Sequence, residues 1–260
     1  MSTEKTFSTD SFRLDGKTAV ITGGASGLGY YYTKAMLASG ANIYIVSYDQ
    51  KGWDDVQTLA EKSKGSAAFL EVDVTNEKAP QQIVDGALNA FGQIDILVNN
   101  AGMQRREKWQ DYKDSDWQAV INLNLNAVYF ISHAVAKVMA ANGGGKIINI
   151  GSMQSFRAGK FIFPYTASKH GVVGLTKAYA DALAPENIQV NAIAPGYIDT
   201  PMTKALQEDP ERNTEILAHI PAQHWADPSE LMGTAVFLAS PASDYVTGTI
   251  IPVDGGYLLR

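Results

Sequence analysis

Strand-like and helix-like segments alternate along almost all of this 260-residue sequence. Short runs rich in β-branched residues, beginning with residues 18–22 (TAVIT), are each followed by a segment whose apolar residues recur at helical spacing. This alternation predicts a parallel sheet, because parallel neighbours are joined by a crossover that is usually a helix. Right-handed crossovers then give an α/β fold with a doubly wound parallel sheet and helices on both faces. Strands are predicted at 18–22, 42–47, 67–72, 94–99, 146–150, 188–194 and 249–253, and helices at 28–39, 53–62, 80–91, 116–141, 165–183 and 228–239.

No internal repeat, linker or low-complexity stretch divides the chain, so a single domain is predicted. Residues 1–15 have the pattern of a loose N-terminal arm, and residues 16–260 are expected to form the domain. Residues 202–219 are polar and are expected to be mobile.

The composition removes several classes of function. With a net charge of −6 and a pI near 5.2, the chain has no basic surplus to neutralise phosphates, so no nucleic-acid partner is expected. The absence of cysteine excludes thiolate metal sites, and nothing pairs the four histidines as ligands, so no metal is expected. The polar N-terminus is no signal peptide and the apolar runs are strand-length, so we expect no membrane span and a cytoplasmic location.

A glycine-rich loop, TGGASGLG at residues 22–29, follows the first predicted strand and opens the first predicted helix. Glycine allows a sharp turn and lets a pyrophosphate approach the amide groups at a helix N-terminus. Gly23, Gly27 and Gly29 have the spacing G-x-x-x-G-x-G rather than G-x-G-x-x-G. The loop alone also fits an ordinary tight turn, but it favours a dinucleotide site.

The end of the second predicted strand bears on which dinucleotide binds. A carboxylate there holds the ribose hydroxyls, whereas a basic residue holds a 2′-phosphate. The strand closes at residues 47–49 (Ser-Tyr-Asp), and neither this end nor the glycine loop contains Arg or Lys, which favours NAD over NADP. Lys51 is close enough in sequence to swing in. Asp73 closes the third strand and either meets the adenine edge or is a helix N-cap ahead of Asn76.

A candidate acid/base pair is formed by Tyr165 and Lys169, four residues apart at the start of a predicted helix. That spacing places both side chains on one helix face. A nearby ammonium favours phenolate and is expected to lower the pKa of Tyr165 toward working pH. Ser152 follows the fifth strand, at the sheet edge where ligands bind. Asn124 lies among helical asparagines that oppose helix propensity, which indicates a polar role.

These segments, in this order, resemble the short-chain dehydrogenase/reductase family over essentially the whole chain beyond the arm. The resemblance implies a single-domain Rossmann-type fold and an NAD-dependent oxidoreductase that acts on CH–OH groups. The matching segments are TGGASGLG at 22–29, Asp73-Val74, NNAG at 99–102, Asn124, Ser152, YTASK at 165–169 and PGYIDT at 195–200.

Carried onto this chain, the family pattern implies a role for each catalytic residue. Tyr165 exchanges a proton with the substrate oxygen, and Ser152 hydrogen-bonds that oxygen. Lys169 binds the nicotinamide ribose and lowers the Tyr165 pKa, while Asn124 holds a water that links Lys169 to solvent. The implied cofactor-binding residues are Gly23, Ser26, Gly27, Leu28, Gly29, Ser47, Asp73, Val74, Asn100, Tyr165, Lys169, Ile198 and Thr200.

Further stretches, including NNAGMQRR at 99–106, resemble the sugar-acid branch of the family. The resemblance implies hydride transfer at a secondary hydroxyl or ketone of a gluconate-type acid such as 2-dehydro-3-deoxygluconate, by a homotetramer with a substrate loop near 197–227. Paired arginines suit a carboxylate, although a solvated loop or subunit contact is equally consistent with them. Residues 154, 157 and 223–225 depart from the branch pattern and leave the exact substrate open. The candidate substrate residues are Arg105, Arg106, Ser152, Gln154 and Tyr165.

Two other functions remain open from the sequence. One is a reductase of a polyol, steroid or acyl thioester on the same scaffold, which needs no carboxylate contact near the paired arginines. The other is a catalytically idle nucleotide-binding protein, which has no reason to keep the whole catalytic set. Turnover of any sugar acid distinguishes both from the sugar-acid dehydrogenase.

Overall fold

Seven parallel strands form one sheet, in which the strand at 18–22 lies between those at 42–47 and 96–99, and the edge strands are at 67–71 and 250–253. They are seen in a computed structural model of the chain, which describes residues 8–260. The predicted single-domain, doubly wound parallel sheet is confirmed. The strands are β1 Thr18–Thr22, β2 Asn42–Ser47, β3 Ala67–Glu71, β4 Ile96–Asn99, β5 Gly145–Ile150, β6 Ile188–Pro195 and β7 Ile250–Val253.

Helices pack on both faces of the sheet because successive strand residues point to opposite sides. Ile21 and Ile43 belong to one core, and Val20 and Tyr44 belong to the other. The five inner strands are almost entirely buried, as a parallel sheet covered on both faces requires, whereas the edge strands at residues 67–71 and 250–253 are mostly only partly buried. The helices are α1 Gly27–Ala38, α2 Trp53–Glu61, α3 Ala79–Phe91, α4 Asp114–Ile121, α5 Ala127–Ala141, α6 Phe163–Leu183, α7 Lys204–Gln207, α8 Pro210–His219 and α9 Met232–Ala239.

The strand order reverses between β1 and β4, which are neighbours in the sheet although β2 and β3 separate them in the chain. In open α/β sheets the crevice outside the carboxyl ends of the strands at such a reversal is where ligands bind. The glycine loop follows β1, and Ser152 follows β5. The NNAG segment begins with the last residue of β4 and continues into the loop after it. The fold therefore brings these three segments to one edge of the sheet.

The predicted N-terminal arm is in part built into the domain. Residues Thr9–Phe12 form a short 3-10 helix, and Leu14 is fully buried in the core. The amide of Leu14 also donates to the carbonyl of Ser39, at 2.8 Å. Within the predicted arm, Leu14 therefore anchors the chain to the core, and residues 9–12 form a short helix without a buried residue. Residues 1–7 lie outside the described residues.

The long helix predicted at 116–141 is interrupted. Between α4 and α5, residues Asn122–Asn126 form a π-helical turn, in which the amide of Ala127 donates to the carbonyl of Asn122. A π-turn adds one residue to a helix and is common at functional sites. The run of asparagines that weakens helix propensity therefore coincides with an actual break in α-helical geometry.

The combined helical stretch Asp114–Ala141 is long and apolar enough, by length and composition alone, to cross a membrane. Its most apolar window has a mean hydropathy of 1.3, and 44% of that window is buried in the structure. The stretch packs against α3, α6 and the sheet. Core packing accounts for its apolar character. The sequence analysis described all apolar runs as strand-length, and this longer stretch is an exception.

The segment 202–219, predicted to be mobile, contains α7 and α8. The side chain of Asp209 caps α8 by accepting from the amides of Glu211 and Arg212, each at 3.1 Å. Ile216 is buried and packs in a small apolar cluster with Met153. The cap and this apolar contact order a segment whose overall polarity suggested mobility.

Candidate active site

The glycine loop between β1 and α1 makes a close turn of the main chain. Gly23 and Gly27 have φ values of 64° and 51°, in the left-handed region that favours glycine. A Cβ atom at Gly29 would lie 2.1 Å from the carbonyl oxygen of Gly23, so only glycine fits there. Ser26 precedes α1 and makes no capping bond to it, which leaves amides at this helix N-terminus available to an anion.

The space around this helix N-terminus fits a dinucleotide phosphate. A Cβ atom at Gly27 would meet nothing within 4 Å, so the main chain there faces open space. A cavity of about 370 Å³ adjoins it, lined by Gly27, Tyr30, Thr200 and Pro201 among others. Ser152 and Tyr165 do not line this cavity, which corresponds to the outer part of the expected cofactor groove.

Asn100, from NNAG, braces the glycine loop. Its side-chain amide donates to the carbonyl oxygens of Thr22 and Gly23, at 3.0 and 3.2 Å, and its main-chain amide donates to the Thr22 hydroxyl at 3.0 Å. These bonds tie the end of β4 to the end of β1. Asn100 therefore fixes the shape of the loop from the neighbouring strand.

The predicted adenosine end of the groove is acidic. Ser47, half-buried at the end of β2, lies opposite Glu71 at the end of β3. Asp49 accepts from the main-chain amide of Lys51 at 3.2 Å. The exposed Asp73 accepts from the amide and hydroxyl of Thr75, at 2.8 and 2.7 Å.

Asp73 thus closes a turn with its own neighbours, and the helix N-cap interpretation is wrong because α3 begins only at Ala79. Val74, beside it, is buried and packs in the core. Leu28, in α1, is partly buried against the opposite core. Of these three residues named as cofactor contacts, Val74 and Leu28 contribute packing in this structure.

Tyr165 and Lys169 lie together on the first turns of α6. The Lys169 ammonium is 5.6 Å from the centre of the Tyr165 ring and donates to the carbonyl oxygen of Ile150 at 2.6 Å. Lys169 is only 5% exposed, and burial lowers its pKa to about 8. The Lys169 ammonium is thus held by one carbonyl group at the end of β5, close enough to the Tyr165 ring to favour its phenolate form.

The pKa of Tyr165 differs from the sequence expectation. Burial raises it above the usual tyrosine range, and the hydrogen bond with Ser152 offsets part of that rise. The expected lowering by Lys169 is not what dominates here, because desolvation of the phenolate outweighs the favourable groups. Ser152 and Tyr165 are nevertheless brought together as predicted.

Ser155 holds the two halves of the site in register, and the sequence reasoning missed it. Its hydroxyl accepts from the amide of Ser152 at 3.2 Å and donates to the carbonyl of Lys169 at 2.9 Å. In return the Ser152 hydroxyl accepts from the amide of Gln154 at 3.1 Å. The S-x-x-S spacing at a turn start was the available signal, since it is a variant of the capping box.

Asn124 is buried in the π-turn, and its side chain is fully engaged. Its oxygen accepts from the amide of Met103 at 2.9 Å, and its nitrogen donates to the Met103 carbonyl at 2.9 Å and to the Ser168 hydroxyl at 3.3 Å. The side chain therefore joins the loop after β4 to α6. The water-holding role implied by the family resemblance stays a prediction.

The two candidate arginines have different surroundings. Arg105 lies 3.6 Å from the carboxylate of Asp116. Arg106 donates to the carbonyl of Lys160 at 3.1 Å and, among residues 8–260, has no carboxylate within 4 Å. Partial burial and the like charge of Arg212 lower the pKa of Arg106. The structure therefore separates a paired arginine from one that is free to take an anion.

Gln154 and Ile198 complete the predicted set. Gln154 is 8% exposed, and its side-chain oxygen is buried without a hydrogen-bond partner. Ile198 is buried and its main chain pairs with Ala226, while its carbonyl accepts from Thr203 at 2.6 Å. Within the described part of the chain, no three His, Asp or Glu side chains are grouped as a metal site.

Comparisons with known proteins agree with this geometry. A family model described as enoyl-(acyl carrier protein) reductase matches residues 23–258. The 2-dehydro-3-deoxy-D-gluconate 5-dehydrogenase of Bacillus subtilis is 46% identical over 253 residues, covering 96% of this chain and 98% of that protein. The 5-keto-D-gluconate 5-reductase of Escherichia coli is 41% identical over 250 residues, covering 96% and 98%.

A solved structure agrees as well. A putative 2-deoxy-D-gluconate 3-dehydrogenase from Agrobacterium tumefaciens, with bound NADP, superposes with a TM-score of 0.89 at 42% identity. It covers 96% of this chain and 99% of its own. Identity and coverage at this level, with the glycine loop, Ser152, Tyr165 and Lys169 at one sheet edge, show that the chain belongs to the short-chain dehydrogenase/reductase family.

Proposed function

We propose that this protein is an NAD-dependent dehydrogenase that interconverts a secondary hydroxyl and the corresponding ketone of a gluconate-type sugar acid. The observation that carries the proposal is the meeting of Ser152, Tyr165 and Lys169 at the end of β5, on the sheet edge that also bears the glycine loop. The sugar-acid substrates of the Bacillus subtilis and Escherichia coli relatives support the substrate class.

A nicotinamide dinucleotide, when bound, supplies or accepts the hydride. The glycine loop, with Gly23, Gly27 and Gly29, would hold its phosphates. Tyr165 holds the proton that the substrate oxygen gains or loses, and Ser152 donates a hydrogen bond to the same oxygen. The buried Lys169 keeps positive charge beside the Tyr165 ring, which favours phenolate during proton transfer.

Replacing Tyr165 with phenylalanine tests this role. Turnover is expected to fall by at least ~10²-fold, the usual contribution of general acid–base catalysis. Dinucleotide affinity, measured by fluorescence titration, is expected to stay within about twofold because the phenol hydroxyl is not a phosphate ligand. A variant that keeps more than about a tenth of wild-type turnover contradicts the assignment of the proton to Tyr165.

The preference for NAD rests on charge. Asp49, Glu71 and Asp73 lie at the adjacent carboxyl ends of β2 and β3, where a 2′-phosphate would meet negative charge. Because the Agrobacterium tumefaciens relative was solved with NADP, the two cofactors must be compared directly. We expect a higher kcat/KM with NAD than with NADP, and we expect Asp49→Asn to narrow that difference. A wild-type preference for NADP refutes this part of the proposal.

Arg106, rather than Arg105, is proposed to bind the substrate carboxylate. Arg105 already lies near Asp116, whereas Arg106 has only a main-chain partner at Lys160. The amide of Glu107 also donates to the carbonyl of Phe161 at 3.0 Å, so this loop runs alongside the segment that leads into α6. A carboxylate at Arg106 would fix which carbon of the substrate faces Tyr165.

Matched alanine variants separate the two arginines. Arg106→Ala is expected to lower kcat/KM for a sugar acid by about tenfold or more, because each charge-assisted hydrogen bond contributes ~1.5–3 kcal/mol. A matching neutral polyol should be affected much less, and Arg105→Ala should affect neither substrate strongly. If both variants act equally on acid and polyol, the protein is better described as a polyol or other ketone dehydrogenase.

A homotetramer in the cytoplasm completes the proposal. Tyr129 and Phe130, on α5, are 40% and 56% exposed and contact each other, and Leu259 is 84% exposed. Exposed apolar groups of this kind are typical of subunit contacts. Light scattering at micromolar concentration is expected to give a mass close to four chains, and a monomer mass refutes it.

A further inference from the structure

Helix α8 brings a second, unassigned arginine toward the proposed substrate site. Trp225 donates from its indole nitrogen to the side-chain oxygen of Asn213 at 2.7 Å. The Trp225 ring lies 5.1 Å from that of Tyr197, which closely follows β6. The first half of α8, where Arg212 lies, is therefore held over the carboxyl edge of the sheet.

The direction in which Arg212 faces follows from its neighbours on α8. Ile216, four residues later, is buried and packs with Met153, the residue after Ser152. Residues four apart share one face of a helix. Arg212 therefore lies on the face of α8 that is turned toward the Ser152 turn, one helical turn from the buried contact.

The loop that carries Arg106 and the helix that carries Arg212 both contact segments next to the catalytic residues. Arg106 donates to the carbonyl of Lys160, on the segment that leads into α6, and α8 packs through Ile216 in one cluster with Met153, beside Ser152. The pKa of Arg106 is lowered first by burial and then by the like charge of Arg212, which agrees with this placement. Arg212 has one carboxylate partner, Glu215, on its own helix. Among residues 8–260 Arg106 has no carboxylate partner and Arg212 has only Glu215, so an additional anion would stabilise these two cations.

We propose that Arg212 binds the substrate carboxylate together with Arg106, so that the acid group is held between the loop after β4 and helix α8. Glu215 then competes with the substrate for Arg212. This inference rests on the proposed sugar-acid function and assigns the acid selectivity of the enzyme to a helix that covers the site. The same pair of cations gives no advantage to a neutral polyol.

Binding measurements in the Tyr165→Phe background test the proposal, because turnover is then suppressed while Arg106, Arg212 and Glu215 are unchanged. The probes are gluconate and sorbitol, its neutral counterpart, titrated by calorimetry into the protein saturated with the dinucleotide. Arg212→Gln is expected to weaken gluconate binding about tenfold, the loss of one charge-assisted bond. Glu215→Gln is expected to tighten gluconate binding several-fold. Sorbitol binding should be unchanged in both.

Glu211→Gln, an exposed acid on the same helix, controls for the change in net charge and should leave gluconate binding within about twofold. The dinucleotide Kd confirms that each variant is folded. If Arg106→Ala weakens gluconate binding but Arg212→Gln does not, this inference is wrong and the proposed function survives. If neither variant weakens it, or the parent binds no gluconate, carboxylate recognition at this site is itself refuted. Equal losses for gluconate and sorbitol overturn the inference as well.

Discussion

Burial of Lys169 has a measurable consequence for stability. Its pKa falls from 10.5 to about 8 in the folded protein because burial disfavours the charged ammonium. Between these two values the unfolded chain binds more protons than the folded one. The free energy of unfolding contributed by this residue therefore rises as the pH rises through that window.

The size of the effect follows from the shift. Below pH 8 the burial of the ammonium costs the folded state about 3 kcal/mol, from ~1.4 kcal/mol per pKa unit. Between pH 7 and pH 9.5 roughly 2 kcal/mol of that cost disappears as folded Lys169 loses its proton. A Lys169→Met variant lacks the proton, so its stability should not show this rise.

The assay is urea unfolding of paired proteins, with and without Lys169→Met, at fixed protein concentration, because association would otherwise change the apparent stability. Both members of the pair carry Tyr165→Phe, which removes the titration of the neighbouring phenol. Lys177→Met, at an exposed position on the same helix, controls for the loss of one lysine from α6. A stability difference between the two members of the pair that stays flat from pH 7 to pH 9.5 would refute the reasoning.

Two further outcomes are expected. Gly29→Ala should abolish the thermal stabilisation produced by the dinucleotide, because the new Cβ would lie 2.1 Å from the carbonyl oxygen of Gly23. Gly174→Ala, at an open helical position, is the control and should retain the thermal stabilisation. Asn124→Ala should lower the free energy of unfolding by about 1–3 kcal/mol, measured by urea, because the buried hydrogen bonds to Met103 are lost. A full thermal shift in the first variant, or unchanged urea midpoint and slope in the second, would contradict them.

The sheet and the catalytic edge were predictable from sequence because both follow from local patterns. Each of the seven predicted strands is present with bounds shifted by at most two residues, and the parallel topology followed from the intervening helices. The carboxyl ends of parallel strands share one edge, so Ser152 could be placed beside the glycine loop before any contact was known. Tyr165 and Lys169 share a helix face by spacing alone.

Contacts between distant segments were not predictable. Lys169 donates to Ile150, nineteen residues earlier, and this bond depends on how α6 lies on the end of β5. The rise in the Tyr165 pKa has the same origin, since desolvation is set by tertiary burial and sequence spacing reveals only the neighbouring ammonium. Leu14 escaped notice because a single apolar residue in a polar segment has no periodicity.

The segment 202–219 shows a different limit. Polarity suggested mobility, but polar residues also form caps and cover a site, as Asp209 does for α8. Arg105 and Arg106 were indistinguishable by sequence, because only the three-dimensional position of Asp116 separates them. Substrate recognition is therefore where the sequence was least informative.

The π-turn between α4 and α5 makes the chain unusually tolerant of one deletion. Removing a single residue from Asn122–Asn126 would turn the i→i+5 bond at Ala127 into an ordinary helical bond, while α4 keeps its face against α6 and α5 keeps its face against the sheet. Such a shortened protein should keep the same architecture. It would, however, withdraw the Asn124 amide from Met103, and the loop after β4 would lose this attachment together with its stabilising hydrogen bonds. The extra residue is thus dispensable for the architecture. Its role is to place the Asn124 side chain where it bonds the main chain of Met103 beside the active site.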